Sequence, residues 1–378
     1  MKIAIVANTS WNIYNFRMNL IRGFKEKGFE VICIAPEDRF TGLLKKENID
    51  FYPVKIHSKG NNPIADLGLF KQFRNIYSIT KPDIILQYTI KPNIYGTLAA
   101  KLCNIPTINT VTGLGTVFLH DNWVSKVAQS LYKFSFRFAG KVLFQNSDDQ
   151  LFFVEKGLVS SSKTALVHGS GVNTHIFHPS EVEIPSVPFR FLMAARLLYD
   201  KGIREYAKAS LLLYEKYGNA AECHLIGSVD SDKQLGIPED ELSEWVQKYH
   251  IKYHAFSEHI AAVYQSVHIV VLASYREGVP KTLLEAAACA KPLIATDVAG
   301  CREVVINDWN GLLCKPKDAE DLFDKMVQIK EMSQEQQLLM SKNSNELIQQ
   351  SFSDKIVFNE YFCLVKELLA GKFYLNEI

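Results

Sequence analysis

The sequence predicts an α/β protein of two doubly wound domains, and three observations carry that expectation. The chain has 378 residues, about two domains at roughly 150 residues each. Its hydrophobic content of 47% is enough to fill two cores. Short β-branched runs also alternate with helical-period stretches, the pattern of parallel sheets with crossover helices, and the pattern starts afresh near the middle of the chain.

Taken in order, the first half predicts strands at 2–8, 30–35, 51–56, 83–88, 107–111, 141–145 and 165–168. Each is a short apolar run of the kind buried on both faces. Several follow a break that ends a helix, such as Lys27-Gly28, Lys81-Pro82 and Lys156-Gly157. A segment rich in Gly, Pro and Ser, about 170–187, then separates the halves; Gly169-Ser170-Gly171 lacks the third glycine of a dinucleotide loop and reads as hinge. The second half predicts strands at 189–194, 223–226, 268–272 and 292–296. Past residue 318 the chain reads as helical, and 354–369 is an apolar-periodic helix after Ser351-Phe352-Ser353. The expected domains are 1–175 and 188–352, with 353–378 a C-terminal helix packing back on the first. Two such sheets would face a ligand cleft at the carboxyl ends of their strands.

Charge narrows the function classes. The chain carries 42 Lys plus Arg against 41 Asp plus Glu, net +1, which argues against a nucleic-acid binder. That total hides a partition. Residues 1–180 hold 21 basic and 12 acidic residues, net +9, and the remainder 21 and 29, net −8. Opposite halves suggest different partners. The N-terminal run lacks the features of a signal peptide, and the long uncharged stretch 102–119 is broken by Pro106, Gly113 and Gly115, so neither export nor a spanning helix is expected. Seven cysteines without a close pair fit reduced, buried thiols of the cytoplasm.

The segment most capable of chemistry is 274–285. It follows a buried-type strand and opens a helix near Lys281, so the Gly278–Pro280 turn would present backbone N–H groups to an anion. Glu277 and Glu285 would grip hydroxyls on either side of a phosphate. Two glutamates eight apart arise about 1.5 times by chance among 24 Glu, so the strand-turn-helix setting carries this reading rather than the spacing. A second segment, 194–203, ends a strand with Arg196 and starts a helix at Lys201-Gly202. Taken singly these are ordinary surface cations. Together they would neutralise a diphosphate without a metal.

Arg196 with Lys201-Gly202, then Glu277-Gly278-Val279-Pro280 ending at Glu285, then Thr296-Asp297-Val298-Ala299-Gly300-Cys301-Arg302-Glu303, in this order and spacing, resembles the retaining nucleotide-sugar glycosyltransferases of the GT-B fold. Within them the chain is similar to bacterial group 1, or family 4, enzymes that extend polyprenyl-diphosphate-linked sugars in surface-glycan or glycoprotein assembly. The resemblance implies two Rossmann-like domains, a UDP-sugar donor on the second and a lipid-linked saccharide acceptor on the first. It implies that Arg196 and Lys201 hold the donor diphosphate, that Glu277 faces the donor sugar, that the backbone of Gly278, Val279, Pro280 and Lys281 contacts sugar and phosphate, and that Glu285 binds the ribose. Thr282 is a further phosphate donor by the same reading. Segments 225–228, with Gly227, and 254–257, with Phe256, match where the family holds the base. UDP-sugar is a co-substrate here, and neither cofactor nor metal is expected.

Two departures stand in the first half. The turn after the first strand, usually Gly-rich in such relatives, is the bulky Asn8 to Arg17 stretch, and the His that many relatives carry after the fifth strand has His120 as its nearest counterpart. His120 is retained as a candidate catalytic or acceptor-side residue; the alternative is an ordinary loop histidine. The Gly113 to Gly115 loop is either an acceptor approach or a plain turn. Asp230-Ser231-Asp232 spells a metal-binding motif of another fold, yet chance supplies about 0.8 such spacings, and it is set aside. The stretch 122–139 is aromatic and basic without acids, as suits a helix lying on an anionic membrane at the inner face of the cytoplasmic membrane; the alternative is a helix packed on its domain with a solvated basic edge. A sugar-nucleotide epimerase or hydrolase of the same shape, and a non-catalytic nucleotide-sugar-binding subunit, remain alternatives.

Overall fold

The computed structural model describes residues 1–56, 63–114, 123–181, 185–228, 236–255, 257 and 259–370. The chain divides into two compact units, 1–171 with 354–378, and 172–353.

The first unit is built on a parallel sheet of β1 (Lys2–Val6), β2 (Glu30–Ala35), β3 (Asp50–Pro53), β4 (Ile84–Tyr88), β5 (Thr107–Val111), β6 (Lys141–Phe144) and β7 (Thr164–Leu166). Their order is β3-β2-β1-β4-β5-β6-β7. β1 is central, Ile3 facing Val31 on one side and Ile84 on the other. From Ile3 to Val6 its residues are apolar because both faces are covered: Ile3 and Ile5 enter one core, Ala4 and Val6 the other. The helices are α1 (Ser10–Glu26), α2 (Thr41–Lys46), α3 (Pro63–Thr80), α4 (Thr97–Leu102), α5 (Trp123–Ser135) and α6 (Ser147–Glu155). The bulky turn after β1 is a direct strand-to-helix passage. Thr9 caps α1, its hydroxyl accepting the N–H of Asn12 at 3.0 Å.

The second unit repeats the plan with β8 (Phe189–Ala194), β9 (Ala221–Ile226), β10 (Ile251–His254), β11 (Ile269–Leu272), β12 (Leu293–Thr296) and β13 (Gly311–Cys314), all parallel in the order β10-β9-β8-β11-β12-β13. Its helices are α7 (Ile203–Tyr217), α8 (Glu239–Lys248), α9 (Ile260–Gln265), α10 (Lys281–Ala288), α11 (Ala299–Arg302), α12 (Ala319–Glu331) and α13 (Gln334–Leu347). β10 and β13 are additions to the expected strands. Each has four residues, and β13 starts on a glycine, leaving too little alternation to read as a strand.

The last helix, α14 (Asp354–Leu368), belongs to the first unit. Phe358 stacks edge-on against Phe24 of α1, ring centroids 5.2 Å apart, and Gly23 leaves the room, since a Cβ there would stand 2.4 Å from that ring. Five cysteines are buried, Cys103 is partly exposed and Cys363 is exposed. Divided along these units, the charge is 24 basic against 16 acidic residues, net +8, and 18 against 25, net −7. No helix among the described residues is long and apolar enough to cross a membrane.

Candidate functional site

In the second unit β8 and β11 are neighbours although three strands apart in sequence, so the connections leaving them run to opposite sides of the sheet. Their carboxyl ends therefore border a crevice, where open α/β sheets hold ligands. The segment after β8 brings Arg196 and Lys201 to this crevice, and the segment after β11 brings residues 273–280 and the start of α10.

Backbone bonds lock these segments together. The carbonyl of Asp200 accepts the N–H of Tyr275 at 2.8 Å and the Ser274 hydroxyl at 3.2 Å. Thr296, at the end of β12, donates its hydroxyl to the Ser274 carbonyl. Gly202 has φ +71°, and a Cβ on it would stand 2.0 Å from the Ala273 carbonyl oxygen, so both conformation and space require glycine. Gly300 in α11 is tighter still: a Cβ there would lie 1.6 Å from the Gly278 carbonyl oxygen. Neither role is visible in a single sequence; the signal was only that both glycines sit within the motifs.

Lys201 and Glu277, 76 residues apart, meet at 2.7 Å with side chains 15% and 16% exposed. The cation expected on a phosphate and the carboxylate expected on a sugar are thus one ion pair. Such a pair fixes the position of each group relative to the other. α10 opens on Pro280, which offers no side-chain cap, and Val279 is buried in the core so that only its backbone faces outward. The Thr282 hydroxyl donates to the Ala194 carbonyl at 3.0 Å. Its single proton is engaged in tying α10 to β8, which argues against the expected phosphate-donor role and leaves N–H groups and the helix dipole to meet an anion.

Glu285 lies one turn further in. Its carboxylate accepts the Tyr264 hydroxyl at 3.3 Å and stands 3.6 Å from the Lys281 ammonium. Burial pushes its carboxyl above the ordinary glutamate range, against the opposing pull of Lys281 and Tyr264. Hydroxyl protons from a ligand would offset that loss of solvation. Arg196 is exposed at the end of β8. Gly227 follows β9, its N–H donating to the His254 carbonyl at 3.2 Å and its carbonyl accepting the Tyr253 hydroxyl at 2.8 Å; a Cβ on it would meet the Ala195 carbonyl oxygen at 1.9 Å. Ile226, His254 and Ser257 border a cavity of about 510 Å³ whose polar lining includes Glu222, His224 and Lys252. Phe256, His120 and Asp230-Ser231-Asp232 lie outside the described residues.

Comparison with known proteins bears on the family and the fold. The family model described as "Glycosyl transferases group 1" matches residues 176–347, and that described as "Glycosyl transferase 4-like" matches residues 2–146. The N,N'-diacetylbacillosaminyl-diphospho-undecaprenol alpha-1,3-N-acetylgalactosaminyltransferase of Campylobacter jejuni is 30% identical over 98% of this chain and 100% of its own length. The UDP-Gal:alpha-D-GlcNAc-diphosphoundecaprenol alpha-1,3-galactosyltransferase of Escherichia coli is 22% identical over 89% of this chain and 91% of its own. Among solved structures, a glycosyltransferase of Rickettsia africae superposes with a TM-score of 0.81 at 21% identity, over 97% of this chain and 98% of that one. HepE of Anabaena, in complex with UDP, superposes with 0.79 at 18% identity, over 98% of this chain and all of that one. Family models over both units, and a relative matched from end to end, establish that the chain belongs to the group 1 glycosyltransferases and has their GT-B fold.

Proposed function

We propose that this enzyme moves an N-acetylhexosamine from a UDP-sugar to a polyprenyl-diphosphate-linked saccharide, with retention at the anomeric carbon and without a metal ion. The observation that carries the reading is the Lys201–Glu277 pair set against the start of α10. A cation and a helix N-terminus suit the leaving diphosphate, and a carboxylate suits sugar hydroxyls. The substrate class follows the relatives, whose names specify diphospho-undecaprenol acceptors. Among the described residues no side chain is placed as a covalent nucleophile, and attack on the front face is the reading adopted: as the sugar–phosphate bond lengthens, Arg196 and Lys201 stabilise the departing diphosphate, and one of its oxygens takes the proton of the incoming hydroxyl. A donor that binds only the folded chain raises Tm, so a thermal-shift screen of UDP-, GDP- and ADP-sugars should single out the UDP-N-acetylhexosamines. Equal shifts with all three nucleotides would count against the donor.

The same reading places the enzyme on the anionic inner face of the cytoplasmic membrane. α5 supports it. Tyr132 and Phe136 are buried, whereas Trp123, Val127, Phe134 and Phe138 are exposed, Trp123 at 68% and Phe134 at 50%. Lys126, Lys133 and Arg137 are exposed among them. Trp123, Lys126, Val127, Lys133 and Phe134 share one face of α5, apolar and basic together, and Arg137 and Phe138 follow in the turn beyond it, on the unit of net +8. Basic side chains near an anionic bilayer contribute about 1 kcal/mol each. Reversing the charge of all three should therefore weaken sedimentation with phosphatidylglycerol vesicles by at least about a hundredfold; unchanged sedimentation would refute the surface.

A further inference from the structure

The sheet of the first unit has a switch point of its own, between β1 and β4, and a cation is buried there. Arg17 sits on α1 within the buried face formed by Ile13, Leu20, Ile21 and Phe24, only 2% exposed. Its guanidinium carbon lies 3.8 Å from the centroid of the Tyr88 ring, Tyr88 being the last residue of β4. Nη1 reaches the Phe16 carbonyl at 3.3 Å, and Nε has no hydrogen-bond partner among the described residues. Glu360, on α14 beside Tyr361, is engaged by His168 instead. Three more groups gather at this end of the sheet. The Tyr88 hydroxyl is fully buried with that of Tyr361 as its polar neighbour, and the hydroxyl oxygen of Thr89, a β-branched residue at φ +72°, is buried without a hydrogen-bond partner among the described residues. Tyr361 packs its ring 6.3 Å from that of Tyr88 and shares a hydrogen bond of 2.9 Å with Thr110.

A buried guanidinium without a counter-ion among the described residues is strongly disfavoured, and a β-branched residue at positive φ is strained. Both features persist where a ligand completes them. The unfilled donors are an arginine N–H and the Thr89 hydroxyl, with the Tyr88 hydroxyl beside them, all at the crevice where a doubly wound sheet binds its ligand. A partner that only accepts hydrogen bonds and carries negative charge matches them: an oxyanion. We propose that Arg17, with Tyr88 and Thr89, seats a phosphate of the acceptor's diphosphate. This rests on the functional reading above, in which the first unit takes the lipid-linked substrate.

The test compares two acceptors bearing the same saccharide, one on a polyprenyl diphosphate and one on a neutral alkyl chain, with the full-length enzyme. Arg17→Gln should raise KM for the diphosphate acceptor by about 30-fold, the loss expected for a charge-assisted hydrogen bond. It should leave the neutral acceptor's KM unchanged, so the preference between them collapses, and the Kd for UDP should stay within about twofold. Arg17→Lys should restore part of the preference, and Tyr88→Phe should lose about fivefold. These milder variants serve if Arg17→Gln does not fold. An unchanged preference in all of them would mean that no phosphate is seated at Arg17, and a weakened UDP complex would move Arg17 to the donor; either overturns the proposal. A wild-type enzyme that extends no diphosphate acceptor would overturn the functional reading instead.

Discussion

Glu277→Gln is expected to lower kcat for transfer by about 10²–10³-fold, the range for removing one group aimed at the transition state, while the Kd for UDP changes by less than about threefold. The asymmetry follows from the pairing at 2.7 Å. UDP lacks the transferred hexose, so loss of the carboxylate removes no contact with it, and Lys201 keeps its charge for the diphosphate. Lys201→Ala should behave differently, because it leaves Glu277 unneutralised beside a dianion and weakens UDP binding as well as transfer. The double variant should then be less impaired than the product of the single effects, since removing both charges leaves no orphan. Steady-state transfer and titration calorimetry with UDP separate these outcomes. Equal loss of UDP affinity and kcat in Glu277→Gln would remove Glu277 from the sugar.

Gly300→Ala should be as severe without touching any charge. Its methyl group would lie 1.6 Å from the Gly278 carbonyl oxygen and 2.8 Å from that of Glu277, and backbone atoms have no rotamer by which to withdraw. Either α11 or the 277–280 segment must move. Overpacking of this kind costs about 1–3 kcal/mol. A displacement of 1 Å at a positioned carboxylate costs about a hundredfold in rate. Thermal unfolding and kcat together give the check. A variant with wild-type kcat would show that the close approach of α11 does not position Glu277.

Much of this was legible in the chain. The strands β1 to β9, β11 and β12 stand within three residues of the apolar runs that announce them; most are buried on both faces and leave an unbroken signal, whereas the edge strands β3 and β7 are only partly buried. The partition of charge was also legible, changing from +9 and −8 to +8 and −7 once 354–378 joins the first unit. What escaped depends on distance in sequence. Lys201 and Glu277 could each be assigned to a phosphate or a sugar, but that they neutralise one another is a fact of the β8–β11 switch point. Thr282 was read from its place on the first turn of α10, and only the fold shows its proton engaged by Ala194. Arg17 left one trace, a cation inside the apolar stripe of α1, and nothing in the sequence says that Tyr88 lies beneath it. The aromatics of α5 likewise divide into buried Tyr132 and exposed Phe134 only when the packing of the first unit is known.

The most direct measurement of the central claim is the stereochemistry of transfer in EDTA. The full-length enzyme would be given a UDP-α-N-acetylhexosamine labelled at the anomeric carbon together with a polyprenyl-diphosphate-linked saccharide, and the product examined by NMR. Transfer with an α linkage, one UDP released per bond formed and no dependence on added metal is the predicted result. A β-linked product, a requirement for a divalent ion, or release of free sugar with the acceptor untouched would contradict it.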